Sequence, residues 1–73
     1  MNTKFVMCID NESYPIDLTV HMVYKVLPDE AADKRGWIRV LDNTGEDYLY
    51  PARKFVPVQI PAEAEPSFEL ATT

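Results

Sequence analysis

Apolar and polar residues along this chain follow a period of two far more often than a period of 3.6, so strands are expected and long helices are not. The apolar run Phe5–Ile9 is ended by the turn formers Asp10-Asn11-Glu12-Ser13. Ile16, Leu18, Val20, Met22, Tyr24 and Val26 then hold the even positions. Asp17, Thr19, His21 and Lys25 hold odd ones, and only Val23 breaks the alternation. This pattern predicts one long bent strand, or two strands joined by a bend, with the even side chains turned inward. Pro28 to Gly36 is a polar connection suited to one or two helical turns. Trp37–Leu41 is rich in β-formers, Asp42-Asn43-Thr44-Gly45 reads as a hairpin turn, and Asp47–Tyr50 is the return strand. Pro51 ends that strand, Pro51–Lys54 forms a tight turn, and Phe55–Ile60 makes a last short strand that Pro57 confines to an edge.

Five or six short strands with one tight hairpin predict an all-β domain over residues 1–60. A small, partly closed barrel is the way so short a sheet buries one face and protects its edges. Phe5, Leu18, Val20, Ile38, Val40, Leu49 and Val56 are the expected core. Beyond Pro61 the composition changes to small residues, prolines and acids, with only Phe68 and Leu70 large and apolar. Residues 61–73 are expected to be a loose tail. The alternative is that Ser67-Phe68-Glu69-Leu70 docks on a partner or on the body.

The segment Trp37-Ile38-Arg39-Val40, Asn43-Thr44-Gly45, Tyr48-Leu49-Tyr50-Pro51 and Phe55-Val56 resembles the second half of Src-homology-3-like barrels. Most of residues 5–60 also resembles small uncharacterised bacterial and phage proteins, which share a Cys-Ile-Asp-Asn opening (Cys8 to Asn11), a strand like Leu18–Leu27 and a Gly-Glu-Asp…Tyr-Pro…Phe ending. The first resemblance implies a five- to six-stranded barrel. It does not extend to polyproline binding. Gly36 stands where the peptide-binding aromatic is found, Trp37 matches the structural one, and the turn from Pro51 to Phe55 is one residue longer than the family's. The second resemblance implies no settled role.

Composition narrows the classes of function. The chain has 73 residues, a formal charge of −5 and 47% hydrophobic residues, so one small domain at most is expected. Residues 1–60 hold all seven bases against nine acids, or −2, and the tail supplies the rest. That balance disfavours direct nucleic-acid binding. No apolar run is long enough to span a bilayer, and Phe5–Ile9 does not make a signal peptide, so no membrane association is expected. A lone Cys8 suits a reducing cytoplasm.

No catalytic chemistry can be assembled from the sequence. His21 has no partner at ligand spacing, Cys8 alternates with core positions, and Gly36 and Gly45 look like turn glycines. The acids gather in three connections, which suits turns and solvation better than a metal loop. The expectation is therefore a non-enzymatic chain with no cofactor and no metal.

The aromatic residues carry the functional expectation. Tyr48 and Tyr50 share a strand face opposite Leu49. If Leu49 points inward, both tyrosines point out and form part of a binding surface with Tyr14, Trp37 and Pro51, rimmed by Arg39 and Arg53. The same aromatics could instead cap the barrel ends with their hydroxyls in water. The first functional expectation is a non-catalytic module that docks a protein partner through this tyrosine face. The alternative is an acidic decoy that occupies the basic groove of a nucleic-acid enzyme. The oligomeric state stays open, since the edge strand holding Pro57 could pair with a second copy.

Overall fold

A computed structural model describes residues 4–66. Five strands, β1 (Lys4–Cys8), β2 (Val23–Leu27), β3 (Trp37–Leu41), β4 (Asp47–Pro51) and β5 (Phe55–Val58), form one antiparallel sheet in the order β4-β3-β2-β1-β5. The ends of that order are β4 and β5, and among the described residues no ladder joins them, so the sheet is not a closed barrel.

The local elements follow from their residues. Asp29 caps the single helical turn α1 (Glu30–Asp33): its Oδ1 accepts the Ala32 N–H at 3.1 Å. Gly36 (φ +79°) ends the connection in the left-handed region. The β3–β4 hairpin closes where Gly45 (φ +83°) donates its N–H to the Asp42 carbonyl at 3.0 Å. Pro51 ends β4 and the 3-10 turn Ala52–Lys54 leads into β5, where Pro57 pairs opposite Val6.

The segment from Ile9 to Met22 corrects the expected alternating strand. It is a looped excursion that leaves β1 and returns to it, with the His21 N–H donating to the Cys8 carbonyl at 2.7 Å and the Cys8 N–H to the Met22 carbonyl at 2.9 Å. Ser13 (φ 78°) and His21 (φ 75°) take left-handed backbone, which no strand can continue through. Polar side chains capture the backbone in place of a ladder. Asn11 Nδ2 donates to the Leu18 carbonyl at 3.0 Å, and the Thr19 N–H donates to the Tyr24 hydroxyl at 2.8 Å. The Tyr24 hydroxyl donates in turn to Asn43 Oδ1 at 2.8 Å, and Asn43 Nδ2 donates to the Ile16 carbonyl at 3.2 Å and to Thr19 Oγ1 at 3.0 Å. The hairpin turn thus holds the excursion in place. Only Leu18 of its apolar residues is driven fully inside; Ile16 is 82% exposed, and Val20 and Met22 are also exposed.

The core is Val6, Cys8, Leu18, Tyr24, Val40, Tyr50 and Phe55, with Tyr14, Val26 and Ile38 packed against it. Of the expected core, Leu18 and Val40 belong to it, Ile38 packs on it, and Val56 is half-buried. Phe5 is buried on the opposite sheet face from Val6 and Cys8. Val20 and Leu49 are exposed and do not belong to the core. The expected tail begins with a 3-10 turn, Ala62–Ala64, whose last N–H donates to the Pro61 carbonyl at 2.9 Å. The rest of it, residues 67–73, lies outside the described residues. Among the described residues no helix is long and apolar enough to cross a membrane.

Candidate functional site

The hairpin register decides where the expected binding residues go. Ile38 faces Tyr50 and Val40 faces Tyr48 across the β3–β4 ladder, while Arg39 faces Leu49 and Trp37 faces Pro51. Cross-strand partners share a sheet face. With Ile38 and Val40 turned to the core, Tyr48 and Tyr50 lie on the inner face and Leu49 on the outer one.

Tyr50 is consequently 2% exposed and cannot anchor a partner, which corrects the expected tyrosine face. Its ring meets Tyr14 edge-on at 4.8 Å and Phe55 at 6.2 Å, and its hydroxyl donates to Asp42 Oδ2 at 2.5 Å. Asp42 is itself buried, and its Oδ1 also accepts the Thr44 N–H at 2.9 Å and the Thr44 hydroxyl at 2.5 Å. Burial, then the neighbouring Asp42 carboxylate, pushes the Tyr50 phenol far above its usual range. Tyr14 is half-buried beneath the Lys54 ammonium, which sits 5.7 Å from its ring centroid. Lys54 is buried and is held by Asp10 Oδ2 at 3.3 Å and the Glu12 carbonyl at 3.0 Å. The Asp10 carboxyl lies below its usual range, first because it accepts the Glu12 N–H and then because of Lys54. Pro51 is buried, and Arg53 is exposed on the 3-10 turn. Tyr50 and Pro51 are therefore buried and closed to a contact surface, and Tyr14 is half-buried and packed against the core.

Trp37, Arg39, Tyr48 and Arg53 remain at the surface. On the outer face of β3 and β4, Trp37 is 39% and Leu49 41% exposed, with Arg39 directly across from Leu49. Arg39 is fixed between two carboxylates. Its Nε donates to Asp29 Oδ2 at 3.0 Å, its Nη2 lies 3.0 Å from the same oxygen, and its Nη1 donates to Asp47 Oδ2 at 3.1 Å. These contacts, Asp29 first, raise the Arg39 pKa above its ordinary value. Asp29 is held below the usual carboxylate range by the Ala32 N–H and then by Arg39. A shallow depression of about 240 Å³ between α1 and Leu49, lined by Ala31 and Arg35, extends the patch. Tyr48, 51% exposed, stands on the other face of the same edge strand and donates its hydroxyl to Glu46 Oε1 at 2.6 Å, which raises its pKa. Apolar surface thus wraps around the open edge of β4.

Leu49 and Lys54 are the residues that sequence reasoning missed here. Counting the register from Val40 across the Asp42–Glu46 turn would have placed Leu49 outside. Nothing in the sequence separates the buried Lys54 from its exposed neighbour Arg53.

A second concavity, of about 920 Å³, opens at the end of the sheet where β1 begins and β2 and β5 end. Phe5, Val6, Val26, Leu27, Ile38, Val58 and Ile60 supply its apolar lining. Lys4 and Lys25 contribute positive charge; Asp29, Glu30, Asp33 and Glu65 contribute negative charge. Among the described residues no group of three or more His, Cys, Asp or Glu is placed to hold a metal ion.

The lowered Asp29 and Asp10 carboxyls link stability to pH. An unfolded aspartate titrates near ~3.9, so both groups add stability that is fully present above that value and is lost as pH falls through their depressed folded values. Urea midpoints measured from pH 7 down to about pH 2 are expected to fall below pH ~4. Asp29→Asn should flatten that acid limb; an unchanged limb in the variant would show that Asp29 carries none of it.

The fold and the patch define a small antiparallel β-sheet domain with an aromatic–aliphatic edge. Comparison with protein-family models, with curated proteins and with solved structures found no match to the chain.

Proposed function

We propose that this chain is a non-catalytic protein-binding module, built as a small, partly closed sheet of Src-homology-3-like form, that engages a protein partner through the exposed edge of the β3–β4 hairpin. The strand order β4-β3-β2-β1-β5 and the 3-10 turn between β4 and β5 support this form. The observation that carries the function is the pairing of exposed Trp37 and Leu49 on one face, with Arg39 immobilised between Asp29 and Asp47. The guanidinium, already ordered by two carboxylates, loses less entropy on docking than a free one, and Trp37 and Leu49 supply the apolar anchors beside it. Tyr48 extends the contact around the edge. The buried, single Cys8 accords with a reducing cytoplasm.

The acidic-decoy reading has weaker support. Asp10, Asp29, Asp42 and Asp47 are each engaged by a group within the domain, which leaves fewer carboxylates to imitate phosphates. The two readings separate in one experiment, affinity capture from cell extract with wild-type and variant baits. Trp37→Ala with Leu49→Ala should reduce capture of the specific partner at least about tenfold. Stability should change much less, because both side chains are exposed. Neutralising Glu12, Glu30 and Asp33 to amides should leave capture intact. The opposite result, with capture that falls steeply as salt rises, would transfer the function to the acids.

A further inference from the structure

The two borders of the sheet differ in what their backbones offer. In an antiparallel ladder, pairs that exchange N–H and C=O bonds alternate with pairs whose N–H and C=O point the other way. In the β3–β4 hairpin the Asp42 N–H donates to the Glu46 carbonyl at 3.0 Å, and the Ala52 N–H donates to the Gly36 carbonyl at 2.9 Å. Counting inward from both bonds, Tyr48 and Tyr50 direct their backbone groups to Val40 and Ile38, while Asp47 and Leu49 turn theirs away from β3. Among the described residues no strand lies beyond β4. Residues 47–49 are exposed, so this border presents two donors and two acceptors to solvent. The β5 border is different. The Ile9 N–H donates to the Lys54 carbonyl at 2.9 Å, and the same count turns Phe55 and Pro57 outward. Pro57 has no N–H, and the Phe55 N–H already donates to the Ala52 carbonyl. A strand can therefore be added at β4 and not at β5.

Resting on the module reading above, we propose that the partner supplies a short extended segment that joins β4 as an antiparallel strand, with an apolar–apolar–basic pattern opposite Leu49, Tyr48 and Asp47. Residues opposite each other across a ladder share a sheet face. The first apolar side chain meets Leu49, 41% exposed, on the outer face; the second meets Tyr48, 51% exposed, on the inner face. The base lies opposite Asp47. Arg39 is divided between Asp29 and Asp47, and Glu46 adds a carboxylate next to Asp47 in the chain, so a cation is favoured there and an anion repelled. Pro51, the next outward position, has no N–H, which keeps the added segment short.

The test uses the full chain and a phage-displayed library of random decapeptides. Enriched peptides should carry the apolar–apolar–basic pattern, and the synthetic peptide made from them should slow exchange of the Asp47 and Leu49 amides at least about tenfold. A synthetic chain with a methyl group on the Leu49 backbone nitrogen keeps the Leu49 side chain and every bond to β3. It should retain the wild-type urea midpoint and bind the peptide at least about tenfold more weakly. No enrichment, enrichment without slowed exchange at Leu49, or equal binding by the methylated chain would each overturn the proposal. Equal binding by the methylated chain, with loss of binding in Trp37→Ala with Leu49→Ala, would remove strand addition and leave the module reading standing. Protection of the Leu49 amide that grows with the concentration of the chain alone would also overturn it, by giving the border to a second copy.

Discussion

Tyr50→Ala is expected to leave a large fraction of the chain unfolded at 25 °C. Emptying a buried aromatic site costs about 3–5 kcal/mol, and a domain of fewer than ~80 residues seldom holds more than ~3–5 kcal/mol in total. The loss is compounded at Asp42, a buried carboxylate that would surrender the hydroxyl donating to it at 2.5 Å. Tyr50→Phe separates the two contributions. It keeps the edge contacts to Tyr14 and Phe55 and removes only the donor, so a cost of about 1–3 kcal/mol is expected. Urea denaturation of both variants measures the difference. Equal stability of Tyr50→Phe and the wild type would mean that the Asp42 bond adds nothing. An alkaline titration followed by tyrosine absorbance should show Tyr50 remaining a phenol until the chain unfolds, because burial and Asp42 both oppose its ionisation.

Leu18→Ala should be nearly as damaging, at about 2–5 kcal/mol. Leu18 is fully buried and is the one side chain of the Ile9–Met22 excursion in the core cluster. Its removal would loosen the whole excursion, and amide exchange should quicken for the bonds from Thr19 to the Tyr24 hydroxyl and from His21 to Cys8. Ile16→Ala is the control. Ile16 lies two positions away in the same alternating pattern, yet it is 82% exposed, so its truncation should change stability by less than about 0.5 kcal/mol. Similar urea midpoints for the two variants would contradict the looped path and favour the continuous strand that the alternation alone suggests.

That contrast shows where sequence reasoning reached and where it stopped. The β3–β4 hairpin, the glycines that close its turn and the α1 connection, the β4 end at Pro51 and the edge strand at Pro57 were all legible. Each depends on a backbone property of one residue type. The excursion was not, because a period of two records only which side chains are apolar. The competing bonds come from Asn11, Thr19 and Asn43, and Asn43 is more than twenty residues away from the segment it holds. The tyrosine face failed for another reason. Ile38 and Val40 were expected inside, and their register partners are Tyr50 and Tyr48, so placing those tyrosines outside was inconsistent with the hairpin itself. Of the surviving candidates, Trp37 and Arg39 are on the outer face by the same register, while Tyr48 stays exposed on the inner face because β4 is an open edge. The groove had no sequence signature, since its lining is drawn from β1, β2, β3, β5, α1 and the residues after Val58.

Proline also governs how copies of this molecule can meet. Both borders of the sheet are interrupted by it, β4 at Pro51 and β5 at Pro57, and β4 further carries the charged Asp47 at its other end. A foreign strand that tried to extend either border would run out of amide donors within about one short strand length. Templated fibre growth along either border is thereby discouraged by the backbone itself.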